Sequence, residues 1–193
     1  MYVVIPFREE GKSRLPEELR REVGLAMLGD VVEAATSVGD VRVVTADPAG
    51  RLVAGELGAE IVDDPGEGQG VAVAAALAGV DGICLVVNAD LPRVRPSDLA
   101  ALSVSPRLGR VALVASADGR TNALGLPYAE VFRPLYGPDS ARRFEAHVLD
   151  LALDFEALAL PNLVADVDTF ADLERLGRRG GVRTRALVEA IVR

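Results

Sequence analysis

The chain has 193 residues, half of them hydrophobic and about a quarter charged, with a formal net charge of −8. That is enough to bury a core as one domain, expected over 1–193, and the acidic balance lacks the clustered positive charge of a nucleic-acid footprint. Cys84 and His147 are the only residues of their kind, so an internal disulfide and a cysteine-based zinc site are excluded, and any metal must be held mainly by carboxylates, which suits a hard ion such as Mg²⁺.

The first residues, MYVVIPFREE, run into a strand pattern (YVVIP) with no basic leader before an apolar stretch. Residues 17–37 repeat apolar side chains at helical spacing. VRVVTA is a strand and PAGRLVAGEL a short helix. AEIVDD is a third strand ending in the glycine-rich loop DDPGEGQG, and VAVAAALAGV is the helix after it. GICLVVNAD is a fourth strand, apolar nearly throughout, as expected of one buried on both faces. RPSDLAAL opens a helix with Ser97 as candidate N-cap, and RVALVAS is a fifth strand. TNALGLP is a short strand or loop, YGPDS a turn, and SARRFEAHVLDLAL a helix. NLVADVD is expected as a late strand, followed by the helices TFADLERLGRR and VRTRALVEAIVR. The apolar runs VAVAAALAGV and ICLVV are too short to span a bilayer, so a cytoplasmic protein with no membrane partner is expected.

Alternating strands and helices predict a three-layer α/β/α sandwich on a mainly parallel sheet. Ligands of such sheets bind beyond the carboxyl ends of the strands. That directs attention to GKSRL, DDPGEGQG and NADLP, the loops after the first, third and fourth strands. The polar residues are unevenly used. Lys12 is the only lysine against twenty arginines, and Gln69, Asn88, Asn122 and Asn162 are the only amides. Lys12 and three of the four amides fall in the motif loops.

Asp90 ends the fourth strand before Leu91-Pro92, where it is either an Asx-type turn residue or a carboxylate facing the ligand crevice. Asp166 and Asp168 flank Val167, and in extended chain both point to one face, where a cation would relieve their repulsion. Asp168 or Thr169 can alternatively cap the following helix with Asp172, which leaves Asp166 unexplained. Lys12 offers a compact charge and Arg14 a two-pronged grip for phosphate, with Ser13 and backbone amides as further donors; a solvated basic turn is the other reading. The spacing of a Walker A loop is absent. The glycine-rich loop precedes a helix N-terminus, a natural seat for phosphate or ribose. His147 and Cys84 read as structural.

Taken in order, KSRL, TADP, GAEIVDDPGEGQG, NADLP, TNAL, YGPDS and DVDT resemble the nucleotidyltransferases that guanylylate 2-phospho-L-lactate in biosynthesis of the deazaflavin coenzyme F-420. The wider group includes molybdenum-cofactor guanylyltransferases and nucleotide-diphospho-sugar transferase-like enzymes of the same three-layer fold. The resemblance implies Mg²⁺ ions held by Asp90, Asp166 and Asp168. It implies nucleotide phosphates bound by Gly11, Lys12, Ser13, Arg14 and Gly68, with Lys12, Arg14 and Asp90 catalytic. It implies a small phosphorylated acid bound by Thr121, Asn122, Gly137 and Ser140, GTP as the donor, and a homodimer. Phosphoenolpyruvate, 3-phosphoglycerate and a molybdopterin phosphate are alternative acceptors, and a non-catalytic nucleotide-binding module is the alternative of another class. The chain departs from the family at Gln69-Gly70, where relatives often carry Leu-Asn, at Phe170, where they often carry proline, and at the REEG segment before KSRL.

Overall fold

A computed structural model describes residues 1–8 and 17–191. Seven strands form one sheet: β1 (Tyr2–Pro6), β2 (Asp40–Val44), β3 (Glu60–Val62), β4 (Cys84–Val87), β5 (Val111–Ala115), β6 (Thr121–Leu126) and β7 (Phe155–Ala157). Their order is β3-β2-β1-β4-β6-β5-β7. Every pairing is parallel except those of β6, which runs against both β4 and β5. The sheet is therefore mainly parallel, as expected. The stretch left open as strand or loop is a six-residue strand buried at every position.

The helices are α1 (Glu17–Thr36), α2 (Pro48–Glu56), α3 (Gln69–Leu77), α4 (Pro96–Leu102), α5 (Val104–Arg107), α6 (Ser140–Asp150), α7 (Pro161–Val164), α8 (Phe170–Leu176) and α9 (Val182–Ile191). They cover the sheet on both faces. One core joins Val3, Ile5, Val43, Leu85 and Val87 to Leu28 and Val31 of α1, Leu99 of α4 and Leu163 of α7. The other joins Val4, Val86, Leu113 and Leu124 to Val73 and Ala76 of α3 and Phe144 and Val148 of α6. Double-sided burial explains why β1 and β4 read as unbroken apolar runs. A third cluster packs Val23 and Met27 of α1 against Val167, Leu173, Leu176 and Val188.

Three local expectations are corrected. NLVADVD is not a strand: Pro161 opens the one-turn helix α7, and the chain then runs extended without joining the sheet. Proline suits a first helical position because the N–H it lacks would have no partner there. The N-cap of α4 is Arg95 rather than Ser97, because Pro96 takes the first helical position and the Asp98 carboxylate accepts from the Arg95 N–H at 2.9 Å. The edge strand β7 is absent from the sequence reading, since three partly exposed residues carry almost no periodic signal.

The strand order reverses between β1 and β4, because the chain builds outward to β3 and then crosses back. Ligand crevices lie at such a reversal, beyond the carboxyl ends of the strands. Since β6 is antiparallel, its first residues lie at the same edge as the last residues of β4: Val87 pairs with Ala123, and Asn88 N–H donates to the Asn122 carbonyl at 3.0 Å.

Candidate active site

Asp90, Asp166 and Asp168 converge at this edge. Each offers a carboxylate oxygen, the three oxygens lie within 4.8 Å of one another, and all three residues are half-buried. Ligands on opposite sides of one Mg²⁺ at about 2.1 Å are about 4.2 Å apart. An all-oxygen set with this spread and partial access to water fits a hard divalent cation.

The local sequence explains the convergence. Leu91 is fully buried and anchors the turn that follows Asp90. Val167 is 3 % exposed and inserted among α1, α8 and α9, which leaves the two flanking aspartates on the opposite side. The Val167 N–H donates to the Asp90 carbonyl at 3.1 Å, and the Gly181 N–H donates to the Pro92 carbonyl at 2.7 Å. The capping reading of DVDT holds as well. Thr169 is the N-cap of α8, and the Asp172 carboxylate accepts from the N–H groups of Thr169 (2.8 Å) and Asp168 (3.2 Å). Burial pushes the Asp172 carboxyl up, but hydrogen bonds from Thr169, Arg175 and the Asp168 amide outweigh it and hold the group below its ordinary value. Cap and cluster thus use different residues.

The glycine-rich loop lies at the same edge, after β3. Arg8, leaving β1, grips Asp64 with two hydrogen bonds of 2.6 and 2.7 Å, and the Gly66 N–H donates to Asp64 at 2.8 Å. Burial raises the Asp64 carboxyl; the Arg8 hydrogen bonds and charge together with the Gly66 amide lower it by more. Gly68 caps α3 at φ +102, a conformation that L side chains rarely adopt. Gln69, which follows it, donates to the Asn88 side-chain oxygen at 2.8 Å, so the loop is tied to the end of β4.

Thr121 and Ser140 are 2 % and 0 % exposed, and their hydroxyl oxygens are 3.0 Å apart. Gly137 has φ +120, and the Arg143 guanidinium braces the same turn by donating to the carbonyls of Tyr136 and Pro138. The Ala141 N–H donates to the Gly119 carbonyl, fastening the start of α6 to the β5–β6 turn. Asn122 is also buried, with its amide directed at α7 rather than at the crevice: it donates to the carbonyls of Leu163 and Val164. Gly11, Lys12, Ser13 and Arg14 lie outside the described residues.

The structural readings of His147 and Cys84 agree with their surroundings. A His147 ring nitrogen bonds the Val131 carbonyl at 2.9 Å. Burial, assisted by the Glu130 charge, pushes the Cys84 thiol up to about 11, which makes it a poor nucleophile. Sequence reasoning missed Asp30. It is 6 % exposed and accepts from the Arg183 and Thr184 N–H groups at 2.9 Å each, fastening α9 to α1. Asp30 sits mid-helix with no motif around it, so no sequence signal marked it.

Comparison with known proteins identifies the family and the fold. Residues 18–191 match the MobA-like NTP transferase domain. A phosphoenolpyruvate guanylyltransferase of Nocardia farcinica is 40 % identical over 201 residues, covering 95 % of this chain and 87 % of that protein. Proteins of the same name from Roseiflexus castenholzii and Conexibacter woesei are 33 % and 34 % identical, covering 94 % and 100 % of this chain and 90 % and 96 % of their own. Among solved structures, a Desulfovibrio desulfuricans protein assigned as a nucleotide-diphospho-sugar transferase superposes with a TM-score of 0.77 at 16 % identity, covering 98 % of this chain and 94 % of its own. A CMP-2-keto-3-deoxy-manno-octonic acid synthetase in complex with CTP superposes with a TM-score of 0.64 at 18 % identity, covering 98 % of each chain. These structures establish the fold, and the sequence relatives establish the kinship. The chain belongs to the MobA-like NTP transferase family and is an enzyme of the nucleotidyltransferase class.

Proposed function

We propose that the protein transfers GMP from GTP to the phosphate of phosphoenolpyruvate, releasing pyrophosphate, as a step toward coenzyme F-420. The observation that carries this reading is the convergence of Asp90, Asp166 and Asp168 at the sheet edge where β4 ends and β6 begins. Guanine and phosphoenolpyruvate come from the names of the relatives that match along nearly the whole chain. Those names favour the planar enol ester over 2-phospho-L-lactate, the acceptor first expected, which differs in having a tetrahedral C2.

A phosphate oxygen of the acid attacks the α-phosphorus of GTP in line. The bond from the α-phosphorus to the bridging oxygen breaks, and pyrophosphate carries away the electron pair. No protein nucleophile takes part, so the residues act by positioning and by balancing charge. Mg²⁺, when held by the three aspartates, would supply charge neutralisation on the phosphate oxygens. In this reading the loop from Gly66 to Gly68 and the N-terminus of α3 face the nucleotide phosphates, with the positive end of the helix toward them. Lys12 and Arg14 add cationic contacts in this reading. The turn at Gly137 and the hydroxyls of Thr121 and Ser140 receive the acid, and a homodimer is the assembly we expect in solution.

The test is pyrophosphate release by purified protein with Mg²⁺, using GTP, ATP, CTP and UTP against phosphoenolpyruvate, 2-phospho-L-lactate and 3-phosphoglycerate. Release with GTP and phosphoenolpyruvate is expected. Release only with 2-phospho-L-lactate would move the acceptor and keep the chemistry. Mg²⁺-dependent GTP binding with no release from any pair would favour a non-catalytic nucleotide-binding module.

A further inference from the structure

All four amide side chains of this protein are hydrogen-bonded. Gln69 donates to Asn88 at 2.8 Å, and Asn88 donates to the Thr121 carbonyl at 3.1 Å. Asn122 donates to the Leu163 and Val164 carbonyls at 3.0 and 3.1 Å, and Asn162 donates to Asp98 at 3.0 Å. Asn122 is the member that joins the two limbs of the site. Its main-chain carbonyl receives the Asn88 N–H, two residues before Asp90. Its side chain holds the last carbonyls of α7, two residues before Asp166.

A one-turn helix leaves its final carbonyls without intrahelical partners. One NH₂ group has two hydrogens, enough for both carbonyls. Asn162 secures the other end of α7 against α4 through Asp98, whose carboxylate also accepts from Arg95. Asn122 is 2 % exposed, so losing its donor would leave the buried Leu163 carbonyl and the half-buried Val164 carbonyl without it and loosen the entry to the limb that carries Asp166 and Asp168.

We propose that Asn122 is a positioning residue for cation binding, setting the Asp166–Val167–Asp168 limb against Asp90, and that it does not contact the acid. This rests on the reading of the three aspartates as a cation site. Groups that orient metal ligands typically change metal affinity by about 10–100-fold when removed.

The experiment is titration of the purified protein with Mn²⁺, reading free Mn²⁺ by electron paramagnetic resonance with no nucleotide or acid present. Asn122→Leu is expected to weaken Mn²⁺ binding by about tenfold or more. High Mg²⁺ should then restore most of its turnover with the KM for the acid unchanged. Unaltered Mn²⁺ affinity together with a raised KM for the acid would overturn the proposal and make Asn122 a substrate contact. If the leucine variant does not fold, Asn122→Ser is read in the same titration, with the same two outcomes. Asp90→Asn separates the two claims. Mn²⁺ binding that survives Asp90→Asn, or that the unaltered protein lacks, would overturn the cation site itself and the positioning role with it. Binding lost in Asp90→Asn but untouched in the Asn122 variants would overturn the positioning role alone.

Discussion

The N–H of Val167 donates to the carbonyl of Asp90 at 3.1 Å, so the end of β4 and the approach to α8 are joined through the main chain. Val167 is buried beneath α8 and α9, and the aspartates on either side of it meet Asp90 within 4.8 Å. The contact depends on no side chain at position 90, so the carboxylate there can be altered while the join is kept.

Asp90→Asn should therefore fold and fail to turn over. Loss of one preorganised charge contact is expected to raise the barrier by about 2.7–4 kcal/mol. Pyrophosphate release measures the defect. Mg²⁺ should raise Tm in the unaltered protein only. Near-normal turnover in the variant would refute the metal assignment.

The Arg8–Asp64 pair makes stability depend on acid. The native state holds the Asp64 carboxyl below its ordinary value of 3.8, so the pair contributes in full above that pH. The contribution is lost as pH falls through the lower native value. Asp64→Asn should reduce stability at pH 7 by about 1.5–3 kcal/mol, and the difference should shrink below pH 3.8. Urea unfolding at pH 7 and pH 3 reads both; an equal difference at the two pH values would contradict the account.

Acid binding should be sensitive to the α6 entrance. Ser140→Ala removes one of two hydroxyls that bond each other in a buried setting. A loss of about 1–2 kcal/mol would raise the KM for the acid about 5–30-fold, with the KM for GTP unchanged. Gly137→Ala forces a side chain into φ +120 and against Arg143, and should act in the same direction. Steady-state kinetics varying each substrate distinguishes this from a general loss of activity.

Gly70 is where the departure from Leu-Asn has a visible consequence. A Cβ there would meet Pro134 Cβ at 2.6 Å and Cα at 2.8 Å, so the helix approaches the chain between β6 and α6 as closely as backbone permits. Gly70→Ala should destabilise by about 1–3 kcal/mol through overpacking. A thermal melt equal to that of the unaltered protein would show that Pro134 yields without strain.

Much of this arrangement was readable from the residues. Strand–helix alternation predicted the layers, and the run ICLVV predicted a strand buried on both faces. The spacing of Asp166 and Asp168 predicted a shared face, which survives although the segment is not a strand, because extended chain alternates whether or not it is paired. What was hidden depends on long-range packing. Asp30 caps a helix from far along the sequence, and β7 exists because β5 offers it a parallel partner. Asn122, read as a substrate contact from its motif, points its amide into the protein. The scarcity of amides marked it as unusual without saying what it holds.

The most direct test of the central claim is ³¹P NMR of the protein with GTP, phosphoenolpyruvate and Mg²⁺. The account predicts new resonances of an asymmetric diphosphate diester rising together with pyrophosphate, and neither when Mg²⁺ is omitted or Asp90→Asn is used. Conversion of GTP to GDP and inorganic phosphate, or product formation that persists without a divalent cation, would contradict it.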